Sequence, residues 1–350
     1  MTRTLILASS AALALLVSAC GQGSNTREGI WAAGSSTVFP FTTRVAENFG
    51  RNNPGGATPR VESLGTGGGI QAFCQGIGPS TPDVANASRQ MKASEFDLCA
   101  SNGVTDIIEL KIGYDGLVIA TARTGADFVL EGSDIFLALA KEIPGAGGFV
   151  ANPHARWDQV RPGLPAARIQ VYGPPPTSGT RDSWVELGMA HSAEFIPELA
   201  ALAESDGDRF EAIAHTLRED GAWVDSGEND NAIVQTLTRT PGSVGVFGYS
   251  FLEQNFSDVK PASVNGVFPT LESIASGDYP IARSMFIYVK KAHIGVIPGL
   301  QEFLTEYLSD ASAGRGGYLQ DRGIVPLPAA ELAIERAKVT NQTSMSRPPA

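Results

Sequence analysis

Short runs rich in β-branched and aromatic residues alternate along the chain with segments whose apolar positions recur every three or four residues. IIELKI at 107–112, GLVIATA at 116–122, RIQVYG at 168–173, SVGVFGYS at 243–250 and SMFIYVK at 284–290 predict strands. DIFLALAKEI at 134–143, DSWVELGMA at 182–190, DRFEAIAHTLRED at 208–220 and NAIVQTLTR at 231–239 predict helices, with Ile233 and Leu237 one turn apart. Phe41, Val45 and Phe49, four residues apart, predict another, with Pro40 tolerated in its first turn and Gly50 as its stop. Strands alternating with helices define an α/β chain, and 350 residues suffice for two lobes with separate cores. No internal repeat is visible. The closing NQTSMSRPPA has neither periodicity nor core positions, so 341–350 are expected to fray.

The first residues narrow the class. LILASSAALALLVSAC is too short, and too soon followed by polar residues, to remain as a membrane span, and it predicts a secretory signal over 1–19. Its end, Val17, Ser18, Ala19 and Cys20, resembles a bacterial lipoprotein box, in which the cysteine is lipidated after cleavage. The alternative is an ordinary signal with an incidental cysteine. Residues 20–29 then read as a flexible tether, and no other segment approaches the ~20 apolar residues of a transmembrane helix.

Charge and cysteines exclude more than they assign. With 37 acidic against 26 basic residues, the net charge of −11 argues against nucleic acid and against a polybasic membrane surface. It says little about a buried anion, which local donors hold. His154, His191, His215 and His293 are scattered without ligand spacing, so no metal is expected, and nothing in the chain calls for a cofactor. If Cys20 carries lipid, Cys74 and Cys99 are the remaining thiols. An exported setting favours a disulfide between them, about 3 kcal/mol by loop entropy, over two separately buried thiols.

Three segments place small hydroxyl residues or glycines directly before a helix: Ser35, Ser36 and Thr37 in GSSTVFPF, Gly65 to Gly69 in LGTGGGI, and Ser178, Gly179 and Thr180 in TSGTRDSW. A helix N-terminus offers unpaired N–H groups and partial positive charge, so each is a potential anion site. Singly, each is an N-cap or a turn. Together they point to one tetrahedral oxyanion. There is no Gly-Lys pair for a P-loop, no G-x-G-x-x-G spacing, and no G-x-S-x-G to make a serine a nucleophile. Binding without chemistry is the simpler expectation.

The ordered set AGSSTVFPF, LGTGGGI, DVANASRQMK, YGPPPTSGTRDSW, PGSVGVFGYSF and SGDYPIARSMFIYVKK is similar to the PstS-like phosphate-binding proteins of bacterial phosphate ABC transporters, from about Trp31 to Leu308. The resemblance implies a type II periplasmic binding fold, two α/β lobes joined by two hinge strands. Lobe one would comprise 30–114 plus 271–340, and lobe two 115–270. It implies ligand contacts from Ser36 and Thr37 on the first lobe and Ser178, Gly179 and Thr180 on the second. Gly67 and Gly68 would add backbone donors, and Arg89 a guanidinium clamp that a lysine could not reproduce.

The sequence also departs from the best-known members. Those carry an Asp where ANASR has Arg89, and an Arg-x-Asp where this chain has Pro174, Pro175 and Pro176. Phosphate specificity therefore needs another acceptor for the proton of monohydrogen phosphate. Asp115, in KIGYDGLVIA where the first lobe should cross to the second, is the candidate; Asp182 and Glu228 are rivals, and a plain turn aspartate before Gly116 is the alternative. The expectation is a monomeric, non-enzymatic lipoprotein at the periplasmic face that captures inorganic phosphate for an ABC permease. A receptor for sulfate or molybdate, or a secreted phosphohydrolase, is the competing reading.

Overall fold

The structure, a computed structural model, describes residues 27, 29–227, 230–240 and 242–349. The signal, Cys20, nearly all of the tether and Glu228 lie outside the described residues.

Among the described residues, nine strands form one continuous sheet. They are β1 (Trp31–Gly34), β2 (Arg60–Ser63), β3 (Val84–Ala87), β4 (Ile107–Ala122), β5 (Val171–Gly173), β6 (Trp223–Asp225), β7 (Val244–Gly248), β8 (Val259–Pro261) and β9 (Ala282–Lys290). The order is β2-β1-β3-β9-β4-β7-β5-β6, with β8 also on β4. β1, β2 and β3 are parallel, as are β5, β6 and β7, and β4 and β9 run antiparallel to their neighbours. The inner strands β3 and β7 of the two parallel halves are buried throughout, which is why they read as short, mostly apolar runs rather than as alternation.

Strand β4 is the structural hinge between the halves. The runs at 107–112 and 116–122 are one strand of 16 residues, buried almost throughout. Its first part pairs with β9, and its second with β7 and β8. The chain returns through Ile281, whose carbonyl accepts the Leu117 N–H at 2.9 Å. A register shift between Met285 and Phe286 faces Gly113, and the pairing then sets Arg283 opposite Asp115. Asp115 therefore lies within a strand, not a turn.

Several helices differ in extent from the sequence expectation, for tertiary reasons. The one expected over 208–220 ends at Ala214. Beyond it the Arg218 backbone N–H bonds Leu139 O, and its guanidinium bonds the His154 carbonyl, which pulls the chain off the helix axis. The one expected at 182–190 starts earlier, at Gly179, and widens into a π-helix over Trp184–Ala190, where Gly188 packs on the Trp184 ring. α1 (Phe39–Asn52) runs past Gly50. Residues 343–349, expected to fray, lie along the first lobe: the Met345 N–H bonds Ile107 O at 2.7 Å, and Arg347 pairs with Asp97. Cys74, at the end of α2 (Gly65–Phe73), and Cys99, in α3 (Ala93–Ser101), form a disulfide within a buried cluster.

Candidate functional site

The first and third donor segments meet face to face. β1 delivers Ser35, Ser36 and Thr37 to the start of α1. Opposite them α4 (Gly179–Ser183) is capped by Ser178, whose Oγ accepts the Thr180 N–H at 3.2 Å. Contact is so close that a Cβ on Gly179 would lie 2.7 Å from Ser36 O and 3.0 Å from Thr37 Cα. Only a glycine lets these two backbones approach so closely. Across this seam Ser36 Oγ donates to Asp182 Oδ2 at 2.6 Å, and Thr37 Oγ1 lies 3.1 Å from Ser183 Oγ. Asp182, the rival acceptor, bridges the seam.

The cation of this cluster is Arg283, at the start of β9. Its Nη2 donates to Thr37 Oγ1 at 3.2 Å and to Ser183 Oγ at 3.0 Å, and Nη1 pairs with Glu186. Its Nε sits 3.7 Å from Asp115 Oδ2, and both of these buried atoms lack a hydrogen-bond partner. Burial raises the Asp115 pKa, the Arg283 charge and the Ser183 hydroxyl pull it back, and Glu186 adds to the rise. A second buried carboxyl, Asp230 at the start of α5 (Asp230–Arg239), accepts the Gly248 N–H at 3.0 Å. Burial pushes it up to about 6 against that hydrogen bond, with the Asp115 charge adding to the shift. Hydroxyls, a guanidinium and a buried carboxylate at one seam can bind an oxyanion and accept a hydrogen bond from its hydroxyl.

The other expected contacts stand further out. Arg89, just after β3, makes a two-pronged pair with Glu95 at 2.9 and 2.8 Å. It lines a groove of about 560 Å³ together with Ser88, Lys111, Leu187 and Arg283, so both arginines reach the same cleft. Gly67 and Gly68 are exposed on α2. Gly69 explains part of the glycine run: a Cβ there would lie 2.2 Å from Gly34 Cα, so the helix packs directly on β1. The segment joins the ANASR loop through Thr66 Oγ1 and Ser88 Oγ, 3.0 Å apart, not the TSGT segment. The charge of Arg181 is spent elsewhere, on Asp225 and the Pro174 carbonyl, with the guanidinium over the Trp223 ring. Arg283 was not among the residues expected from the sequence, although it lies inside SGDYPIARSMFIYVKK, and nothing in its local sequence marks it. Among the described residues no group of three His, Cys, Asp or Glu side chains is arranged to hold a metal.

Two α/β halves spanned by one continuous strand, with a polar cluster at the crossing, define a two-lobed binding protein. The family profile described as PBP superfamily domain matches residues 21–311. Protein SphX of Synechococcus elongatus is 30% identical over 340 residues, covering 94% of this chain and 86% of that one. The phosphate-binding protein PstS of Staphylococcus saprophyticus is 28% identical over 335 residues, covering 93% and 90%. The crystal structure of a possible phosphate binding protein from Planctomyces limnophilus superposes with a TM-score of 0.70 at 26% identity, covering 90% and 99%. The chain belongs to the PBP superfamily and, within it, to the PstS-like family. It is a binding protein, not an enzyme.

Proposed function

We propose that this chain is an exported receptor that captures inorganic phosphate between its lobes and hands it to an ABC permease, held at the periplasmic face by lipid on Cys20. The observation that carries the reading is the seam at the crossing strands. Arg283 bonds Thr37 of one lobe and Ser183 of the other, beside a buried Asp115 oxygen and an Arg283 Nε that no protein group satisfies. Unpaired buried donors and acceptors are costly, and a protonated oxyanion satisfies both kinds at once. The relatives named for phosphate binding support the choice of ligand.

In this reading Ser36, Thr37, Ser178, Gly179 and Thr180 supply hydroxyl and backbone donors. Arg283 is the central cation, and Asp115 accepts a hydrogen bond from the phosphate hydroxyl. Arg89 guards the mouth; gripping the anion would require its pair with Glu95 to open. Gly67 and Gly68 contribute through the α2 terminus. Native mass spectrometry of freshly purified protein, followed by titration calorimetry after phosphate is stripped, tests the proposal. Saturable phosphate binding at one site is expected. Binding of sulfate or molybdate in preference to phosphate would refute the ligand assignment, and release of phosphate from an ester would refute the receptor.

A further inference from the structure

At the opposite end of the first lobe's sheet from the seam, the chain enters the fold through a buried polar cluster. Arg27 bonds the Gly29 carbonyl at 2.7 Å and the Pro79 carbonyl at 2.6 Å, and its guanidinium pairs with Asp83. Asp83 is fully buried and also accepts the Trp31 N–H at 2.7 Å and His293 Nδ1 at 2.6 Å. The other ring nitrogen of His293 lies 2.8 Å from Ile77 O, and the Val296 N–H bonds the His293 carbonyl at 3.1 Å. One cluster therefore ties together Arg27, next to the expected tether, and the backbone of two apolar residues beside it, Ile77 and Val296. These are 54% and 51% exposed.

Direction follows from the strands. Arg283 opens β9 at the seam and Lys290 closes it beside Asp83, whose carbonyl accepts the Lys290 N–H, so this base lies about 23 Å from the seam along the sheet. Cys20 precedes Arg27 by seven residues, a reach of at most about 25 Å fully extended.

We propose that the base of lobe one, around Ile77 and Val296, is a membrane-facing surface that rests on the phospholipid headgroups of the bilayer holding the anchor. The inference relies on lipid at Cys20 as proposed above. Two half-exposed aliphatic side chains bind a bilayer weakly by themselves, but a short tether pinned at Arg27 keeps them at high local concentration over it. The exposed cation at this end, Arg60, is paired with Glu62, so the contact suits mixed headgroups rather than a strongly anionic surface.

The test uses the full, processed chain in vesicles of phosphatidylethanolamine and phosphatidylglycerol containing a headgroup spin-labelled lipid. With Cys20 acylated and Cys74 bonded to Cys99, an introduced cysteine is the only free thiol. Val296→Cys and Ile77→Cys, each carrying a fluorescent label, should be quenched several-fold more strongly than Phe195→Cys, an exposed site on the second lobe. Equal quenching at all three sites, with the protein floating with the vesicles, overturns the orientation and leaves the anchor standing. Failure to float overturns both. Phosphate calorimetry on the labelled proteins reads the receptor assignment separately.

Discussion

Asp230→Asn isolates the cost of burying one carboxylate beside the seam. Asp230 is 6% exposed, and its environment lifts its pKa from 3.8 to about 6. At pH 4 the carboxyl is largely protonated in the fold and about half protonated in the unfolded chain. Between about pH 4 and 6 the unfolded chain gives up its proton while the fold still holds it, so this group makes stability fall as pH rises, and the fall levels off above pH 6. About two pH units at ~1.36 kcal/mol each come to roughly 3 kcal/mol, the full penalty at pH 7. Asparagine cannot ionise but keeps an oxygen for the Gly248 N–H. The variant should therefore be about 2–3 kcal/mol more stable than the parent at pH 7, and within about 0.5 kcal/mol of it at pH 4. Urea unfolding of the mature, phosphate-free protein at both pH values measures the two differences. An offset that does not change with pH, or a variant less stable than the parent at pH 7, would show that Asp230 is ionised in the fold without cost.

Arg283→Met removes donors to both lobes and leaves Asp115 facing no cation; phosphate binding should weaken by about 3 kcal/mol or more, against a smaller loss for Arg89→Met, whose guanidinium is already held by Glu95. Titration calorimetry giving the reverse order would move the central cation to Arg89. Gly179→Ala drives a Cβ into Ser36 O, so the cleft should fail to shut; small-angle scattering should show a larger phosphate-saturated particle and calorimetry a weaker complex, and an unchanged pair of readings would mean the seam is not the closed interface. Asp115→Asn keeps the shape, removes the charge and can turn an NH₂ toward the anion, which should narrow the phosphate-to-sulfate gap by about 2 kcal/mol in competition binding. If the ratio holds in Asp115→Asn and collapses in Asp182→Asn, the acceptor is the aspartate that Ser36 already touches.

Much of the architecture was legible because it rests on local patterns. The apolar runs marked β4, β5, β7 and β9, and the four-residue spacing of Phe41, Val45 and Phe49 marked α1, since burial of one face is written directly into the sequence. What escaped was set at long range. Residues 113–115 read as a break between two strands, yet pairing with β9 on one side and β7 on the other carries one strand straight through them. The last residues look featureless because their partners, Ile107 and Asp97, belong to another part of the chain. A helix over 208–220 has adequate periodicity, but tertiary hydrogen bonds to Arg218 outweigh the propensity of its second half.

The site divides along the same line. The segments that place Ser36, Thr37 and Gly179 at the seam were legible because a donor-rich stretch before a helix is written in consecutive residues; their role as ligand contacts stays a proposal. Arg283 carries none of its significance locally. An arginine at a strand end is usually a solvated edge charge, and the position of this one comes from a register: the shift at Met285 and Phe286 places it opposite Asp115, and the return through Ile281 brings it to both Thr37 and Ser183. A cation on the returning strand thereby contacts residues of both lobes. That position also bears on why the proline run at 174–176 is tolerable here. With the central charge supplied by β9, as proposed above, the segment before Ser178 would need to deliver only backbone and hydroxyl donors, and Arg181 is engaged by Trp223 and Asp225 inside the second lobe.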